Sequence, residues 1–459
     1  MITMMLSLLV TVNCACAQDV SALGVMGASG VGDPYFPSLG NGGYDAQHYL
    51  LDIIPDMDAQ TINARVTMTA FAMESLIRFN LDFIGFEIES VTVAGELAEF
   101  SREERELIIS PATQIEQSTL FDVTIVYRGT PGQGIGFDNL PFARGWNWIA
   151  DGSYVASEPD GASLWFPVND HPSDKATYSI HVTVPQDYTV VANGFLQDVV
   201  LNSDLQTFIW ETDELTASYL VTINIGRFVR EDADGLPETP IRNYYPLDSI
   251  IDGARTFSDQ DEMMHFFNGH FGEYPFDVYG SVVVDEALPF ALETQTISLY
   301  GTNILRDDPS SPIIVAHELA HSWFGNSVSV KTWRDIWLNE GFATYSSMLW
   351  LAESTNQSVM ESVMRQQFEA IEDSGVVIAD PGAENLFAPT VYWGGAWVLM
   401  SLHERVGDDV FFEILEVYHT RYADSVAETA DFIAVAEEVS AEDLSDFFDT
   451  WLYTENRPS

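Results

Sequence analysis

Cysteine is nearly absent from this chain. Its 459 residues hold two, Cys14 and Cys16, both near the amino terminus. Once a leader containing them is removed, the remainder has neither thiol nor disulfide, so stability rests on core packing rather than cross-links. Basic side chains are also scarce, 18 against 70 acidic ones for a formal net charge of −52, and only Lys175 and Lys331 are lysines. A surface of that sign repels phosphate backbones and anionic headgroups, which excludes nucleic acid and acidic lipid as partners. Self-repulsion on this scale weakens a fold at low ionic strength and is screened by salt, so a saline habitat is expected. The apolar run over residues 2–12 is too short to span a membrane. Followed by Ala15-Cys16-Ala17, it reads as a secretory signal over residues 1–17, although no Lys or Arg precedes it.

The composition is otherwise that of a globular chain, 46% hydrophobic and 12% aromatic, with length for two or three domains. Residues 18–43 are rich in Gly, Ser and Pro and read as an extended lead-in. From Tyr44 the pattern alternates: Thr61–Ala70 switches polar and apolar almost perfectly, and strand-like runs recur at Phe121–Tyr127, Thr177–Val184, Tyr188–Val191 and Tyr219–Ile225. Residues 44–245 are therefore expected to form an antiparallel β-sandwich or saddle. The second half, 246–459, is mainly helical, with apolar positions three and four apart over 392–406, 409–422 and 443–453. Ser358–Glu361 and Ser440–Asp443 have capping-box spacing. Between the halves, Val282–Tyr300 reads as strand, confined by Pro289 to a sheet edge where an extended peptide could pair. The fold class is α+β.

Chemistry concentrates at His317-Glu-Leu-Ala-His321. Ser311 is placed to cap a helix there, Pro312 to occupy its first position and Gly325 to follow its end. On that helix His317 and His321 share a face and can hold one zinc, with Glu318 directed at the same opening. Two imidazoles do not complete a site. Glu340, on a second helix after Trp333, offers the third ligand, and a His-His-Glu set leaves a tetrahedral position for water, as catalytic zinc requires. The competing reading is a chance match with hydrogen-bonded core histidines. Spacing alone divides Tyr392 evenly between helix packing and catalysis, and Asp335 between orienting a ligand histidine and capping the Glu340 helix.

These residues, with three further motifs, resemble the gluzincin zinc aminopeptidases, the aminopeptidase N family, from about residue 32 onward. Phe290-Ala-Leu-Glu-Thr294 is similar to that family's Gly-Ala-Met-Glu-Asn, Tyr392-Trp-Gly-Gly-Ala396 to its Tyr-x-Lys-Gly-Ala, and Phe166–Pro172 with Glu158 upstream makes a further match. The resemblance implies a thermolysin-like catalytic domain and one zinc on His317, His321 and Glu340. It implies Glu318 as general base and Tyr392 as donor to the developing oxyanion. It places Glu158 and Glu293 on the substrate's free α-ammonium, with Ala291 and Leu292 also binding substrate, so peptides with a free N-terminus are the expected partners. Phe290, Thr294, Gly394 and Ala156 depart from the family's usual glycine, asparagine, lysine and glutamine. A short secreted member without the family's C-terminal helical domain is expected. A zinc endopeptidase with an uncapped cleft, or a binding protein that retains only the fold, are the rival readings. Preferred residue and oligomeric state are left open.

Overall fold

The computed structural model describes residues 24–131, 144–305 and 308–454; the expected signal segment lies outside them. The first half is built on an eight-stranded sheet with Tyr44–Asp56, Thr61–Ala72, Leu120–Gly129 and Lys175–Pro185 at its centre. Alternation along these strands is nearly strict, so Tyr49, Leu51, Val66, Met68, Val123 and Ile125 fill one buried face. Lys175–Pro185 pairs parallel with Tyr44–Asp56, at Thr177 opposite His48 and Ile180 opposite Leu51. The half is thus mixed rather than wholly antiparallel. Two smaller four-stranded sheets complete it, one of which contains Gly152–Ala156, the strand leading into Glu158.

Three boundaries differ from the sequence reading. The strands Phe228–Leu236 and Thr239–Pro246 hydrogen-bond into a sheet with Tyr279–Val284 and Ser298–Gly301, so one sheet spans the expected boundary at 245. Alternation lets Thr239–Pro246 serve both cores: Tyr244 packs into that of the first half, Ile241 and Tyr245 into that of the second. Tyr219 falls in a 3-10 turn, with strand resuming only at Ile223. Within Val282–Tyr300 only the ends are strand; at the centre Leu292 and Leu299 exchange backbone hydrogen bonds of 3.0 and 2.8 Å, and Pro289 lies in the intervening loop.

The second half is helical as expected, over Gly395–Val406, Asp408–Tyr422 and Ser445–Leu452, with a further helix Thr429–Ser440. Neither expected capping box forms. Asn356 caps the helix Gln357–Ile371 by accepting from the Val359 amide, and the reciprocal box is Glu428 with Asp431.

The lead-in is not a loose extension. Phe36 and Leu39 are fully buried in the core of the second half. Asp33 accepts from the amides of Tyr35, Phe36 and Trp333 and lies 3.2 Å from His171 Nε2. Burial pushes the Asp33 carboxyl up, but these hydrogen bonds outweigh it and hold it below its ordinary range. The Tyr35 hydroxyl donates to Asp380 at 2.5 Å and accepts from the Gly382 amide. One short strap therefore ties the β half to the segments that precede Glu340 and Tyr392.

Lys175 makes a second tie. Its ammonium is buried and donates to the carbonyls of Asn326 and Ser327, each at 2.8 Å, in the turn after His321. Lys175→Met would leave the Ser327 carbonyl without this donor and the Asn326 carbonyl with only a 3.4 Å bond from the Ser329 hydroxyl, and is expected to lower the unfolding free energy by about 1–3 kcal/mol. Burial also lowers the lysine pKa from 10.5 to about 7. Between those values the unfolded chain holds the extra proton, so this group makes folding more favourable as pH rises from 7 toward 10. The difference in stability between parent and variant should therefore widen with pH, which denaturant melts at pH 7 and 9.5 would measure.

Candidate active site

The helix that carries the histidines runs Ser311–Ala320, one residue earlier than Pro312 suggests. Ser311 does not cap it; its hydroxyl donates to the Ile304 carbonyl, while Ser310 is the residue before the first turn. His321 sits at the C-terminal cap, and Gly325 follows with φ +134°, where an added Cβ would lie 3.1 Å from His321 Nδ1. That close approach suits glycine. It lets the chain turn back so that His321 Nδ1 donates to the Phe324 carbonyl at 3.1 Å. This bond selects the tautomer whose Nε2 lone pair faces the cleft.

Glu340 enters from the helix Trp337–Ser354, buried along most of its length. His317 Nε2 and His321 Nε2 lie 3.1 Å apart, and Glu340 Oε2 is 3.2 Å from the first and 3.6 Å from the second. A tetrahedral metal with bonds of about 2.0–2.2 Å has ligand–ligand edges of about 3.3–3.6 Å. The three atoms are spaced for such an ion. Their charge also calls for a cation, because Glu158, Glu293, Glu318 and Glu340 are all buried around one cavity. Burial would raise Glu340, but hydrogen bonds to His317 and His321 overcome it and bring the carboxyl to about 2. Burial pulls His321 down, yet Glu293, Glu340 and Glu318 outweigh it and raise the imidazole to about 10. The donor set fits zinc.

Glu318, Glu293 and His321 have ligand-type atoms within 4.8 Å of one another, so the proposed base and ammonium anchor adjoin the metal triad. Burial, and then the charges of Glu293 and Glu340, push the Glu318 carboxyl well above its ordinary range, with His321 opposing. One oxygen of Glu158 and one of Glu293 are buried with no hydrogen-bond partner. Both line the cavity of about 460 Å³, as do Ala291 and Leu292. Thr294, where the resembling family has asparagine, keeps the local turn by donating to the Ile297 carbonyl. Asn326 holds the same stretch from the other side by donating to the Glu293 carbonyl.

Tyr392 lies in a π-helical turn, Thr390–Gly394, that opens directly into the helix Gly395–Val406. Its ring stacks on His317 at 6.1 Å. Burial, and then four surrounding glutamates led by Glu340, keep its phenol protonated far above the ordinary value, so it is a hydrogen-bond donor. What brings it to the triad is a helix crossing without side chains: an added Cβ on Gly341 would lie 2.8 Å from the Gly395 Cα. Gly394 packs against Ile378, where an added Cβ would be 3.0 Å from that side chain, which leaves no room for the family's lysine without displacing it.

The structure brings His317, Glu318, His321, Glu340, Tyr392, Glu158, Glu293, Ala291 and Leu292 to one cavity. Asp335 is not among them. Its carboxylate accepts from Thr429 and Thr332, bracing the turn before the Glu340 helix against the helix Thr429–Ser440, and contacts no ligand histidine. Sequence reasoning missed the Gly341–Gly395 crossing; the signal for it was glycine inside two helical patterns, where it costs about 1 kcal/mol unless close packing requires it.

Comparison with known proteins agrees with this geometry. The profile described as Peptidase family M1 domain matches residues 255–451, and that of the Peptidase M1 N-terminal domain matches 45–220. The chain belongs to peptidase family M1. Among curated M1 relatives it is 25% identical to aminopeptidase A of Gloydius brevicauda, over 88% of this chain and 46% of that protein. It is 26% identical to probable aminopeptidase 2 of Sulfurisphaera tokodaii, over 82% and 50% respectively. The chain thus spans about half the length of these relatives. Against a solved M1 zinc metallopeptidase of Deinococcus radiodurans, a variant bound to a Tyr-Ser-Ala substrate, the TM-score is 0.86 at 26% identity, covering 94% of this chain and 98% of that one.

Proposed function

We propose that the protein is a zinc-dependent aminopeptidase that hydrolyses the N-terminal bond of peptides with a free α-amine. The observation that carries this reading is the pair of buried carboxylates, Glu158 and Glu293, each with a partnerless oxygen beside a His-His-Glu triad. Such a pair favours a cation and leaves a blocked N-terminus unable to satisfy it.

Zinc, when held by His317, His321 and Glu340, supplies a Lewis acid and an acidified water at neutral pH. The remaining steps belong to the chain. Glu318, made more basic by its surroundings, takes the proton of the attacking water and passes it to the departing amine nitrogen. Tyr392 donates a hydrogen bond to the carbonyl oxygen as it gains negative charge, an interaction stronger in the transition state than before it. The edge segment Ala291–Glu293 holds the peptide backbone in line, and Glu158 with Glu293 sets how deep it enters.

The expected result of N-acetylating a short peptide is a fall in kcat/KM of about a hundredfold or more. Glu293→Ala should lower turnover of the free peptide and shrink the gap between the two forms. Equal rates for both forms in the parent enzyme would instead indicate an endopeptidase. One zinc per chain is expected by metal analysis.

The same reading places the protein outside the cytoplasm. Its support is the short apolar run and the Ala15-Cys16-Ala17 pattern. Among the described residues no helix is long and apolar enough to cross a membrane.

A further inference from the structure

Between the second ligand histidine and the Glu340 helix the chain makes a tight turn, and one residue in it is bonded in three directions. The backbone amide of Asn326 donates to the His321 carbonyl at 2.9 Å, at the end of the ligand helix. Its own carbonyl accepts from Lys175 at 2.8 Å, on a strand of the β half. Its side-chain amide donates to the carbonyl of Glu293, also at 2.8 Å. Asn326 is 2% exposed and its amide oxygen has no hydrogen-bond partner, so among the described residues the bond to Glu293 is the one its buried side chain makes. The bonds that flank Glu293 run elsewhere. Leu292 pairs with Leu299, and Gln295 donates to the Leu220 carbonyl at 3.2 Å. Neither ties the stretch to the histidine helix; Asn326 does.

We infer that Asn326 is a positioning residue for the proposed reaction, fixing how far the ammonium anchor Glu293 stands from the metal triad, a role that rests on the aminopeptidase reading above. In the first residue of a peptide a single carbon separates the ammonium nitrogen from the scissile carbonyl, so a shift of the anchor carries that carbonyl with it. A misplacement of about 1 Å costs on the order of a hundredfold in rate. Replacing the side chain leaves both backbone bonds of Asn326 in place and cuts only the link to Glu293. The buried Glu293 carbonyl then lacks this donor and draws away toward another. The ligand set does not depend on the bond, because His321 is oriented by the Phe324 carbonyl and Glu340 by its own buried helix.

Asn326→Leu removes the donor at similar volume, and Asn326→Ala removes it with less bulk. On protein whose zinc content has been measured, kcat and KM are taken for a leucine fluorogenic amide and its N-acetyl form, in the parent and in the Glu293→Ala background. Asn326→Leu is expected to lower kcat/KM for the free amine at least about tenfold, mostly through kcat, with zinc content unchanged. The residual rate on the acetylated form, which does not use the anchor, should change less than about threefold, and so should the free-amine rate in the Glu293→Ala background. A looser metal site or a weakened fold would slow both substrates and both backgrounds alike. That result overturns the inference, as does an unchanged rate on the free amine. Parent enzyme that cleaves the two forms equally would overturn the aminopeptidase reading instead, so the two failures are distinct. Titration of free leucine into zinc-loaded Glu318→Gln protein gives a readout that needs no turnover. Adding Asn326→Leu there should weaken binding at least about fivefold, and unchanged affinity counts against the assignment. If the leucine variant does not fold, the alanine variant decides by the same ratios. Failure of both to fold would assign Asn326 to the fold rather than to the placing of Glu293, and overturns the inference as well.

Discussion

Glu318→Gln is expected to lower kcat by about 10³-fold to 10⁴-fold with little change in KM, zinc content or melting temperature. The substitution keeps the size and the hydrogen-bonding reach of the side chain and removes only its capacity to hold a proton. Glu318 is 6% exposed and stands beside the triad rather than in it, so the ligand set survives. Its carboxyl is raised by burial and by Glu293 and Glu340, which makes it a stronger base than a surface glutamate. A thousandfold loss corresponds to about 4 kcal/mol of transition-state stabilisation. The check is steady-state kinetics on protein whose metal content has been measured. A loss of tenfold or less with zinc retained would show that another group carries the proton.

Stripping the metal is expected to abolish turnover and to lower the melting temperature by roughly 10 °C. A ligand held at a thousand times its dissociation constant stabilises the folded state by about 4 kcal/mol, and one kcal/mol moves the midpoint of a domain of this size by about 2–4 °C. The physical source of the loss is the arrangement of charge. Without a cation, four buried carboxylates share one cavity with two imidazoles, and His321 is driven to hold a proton up to about pH 10. Chelator treatment followed by calorimetry, with zinc then added back, measures both effects. His321→Ala should reproduce the loss and resist rescue by added zinc. Activity that survives verified removal of the metal would remove the basis of the proposed chemistry.

The site was legible in the sequence wherever one local element carries it. His317 and His321 lie four apart on one helix, so their shared face follows from helical geometry alone, and Glu340 was readable because its helix follows closely. The alternation of Thr61–Ala72 likewise announces a strand that buries one face, since period two allows no other arrangement. The exposed ends were less readable. Helix caps depend on which side chain reaches which amide, and here Asn356 and Glu428 capped where Ser358 and Ser440 had the spacing.

Taken alone, the sequence proposed the metal ligands and the general base and set the strand-to-helix order of the two halves and the strong negative charge, because each follows from residue type and short spacing. Only the tertiary structure decided that Tyr392 reaches the triad, since this depends on Gly341 and Gly395 letting two helices touch. It also decided that Phe228–Pro246 shares a sheet with Tyr279–Val284 and that Asp33 and Tyr35 lock the lead-in across both halves. The charge of the cleft belongs to the same class. Glu158 and Glu293 are 135 residues apart, and little in their local sequence distinguishes them from the other acidic residues until folding buries them in one cavity.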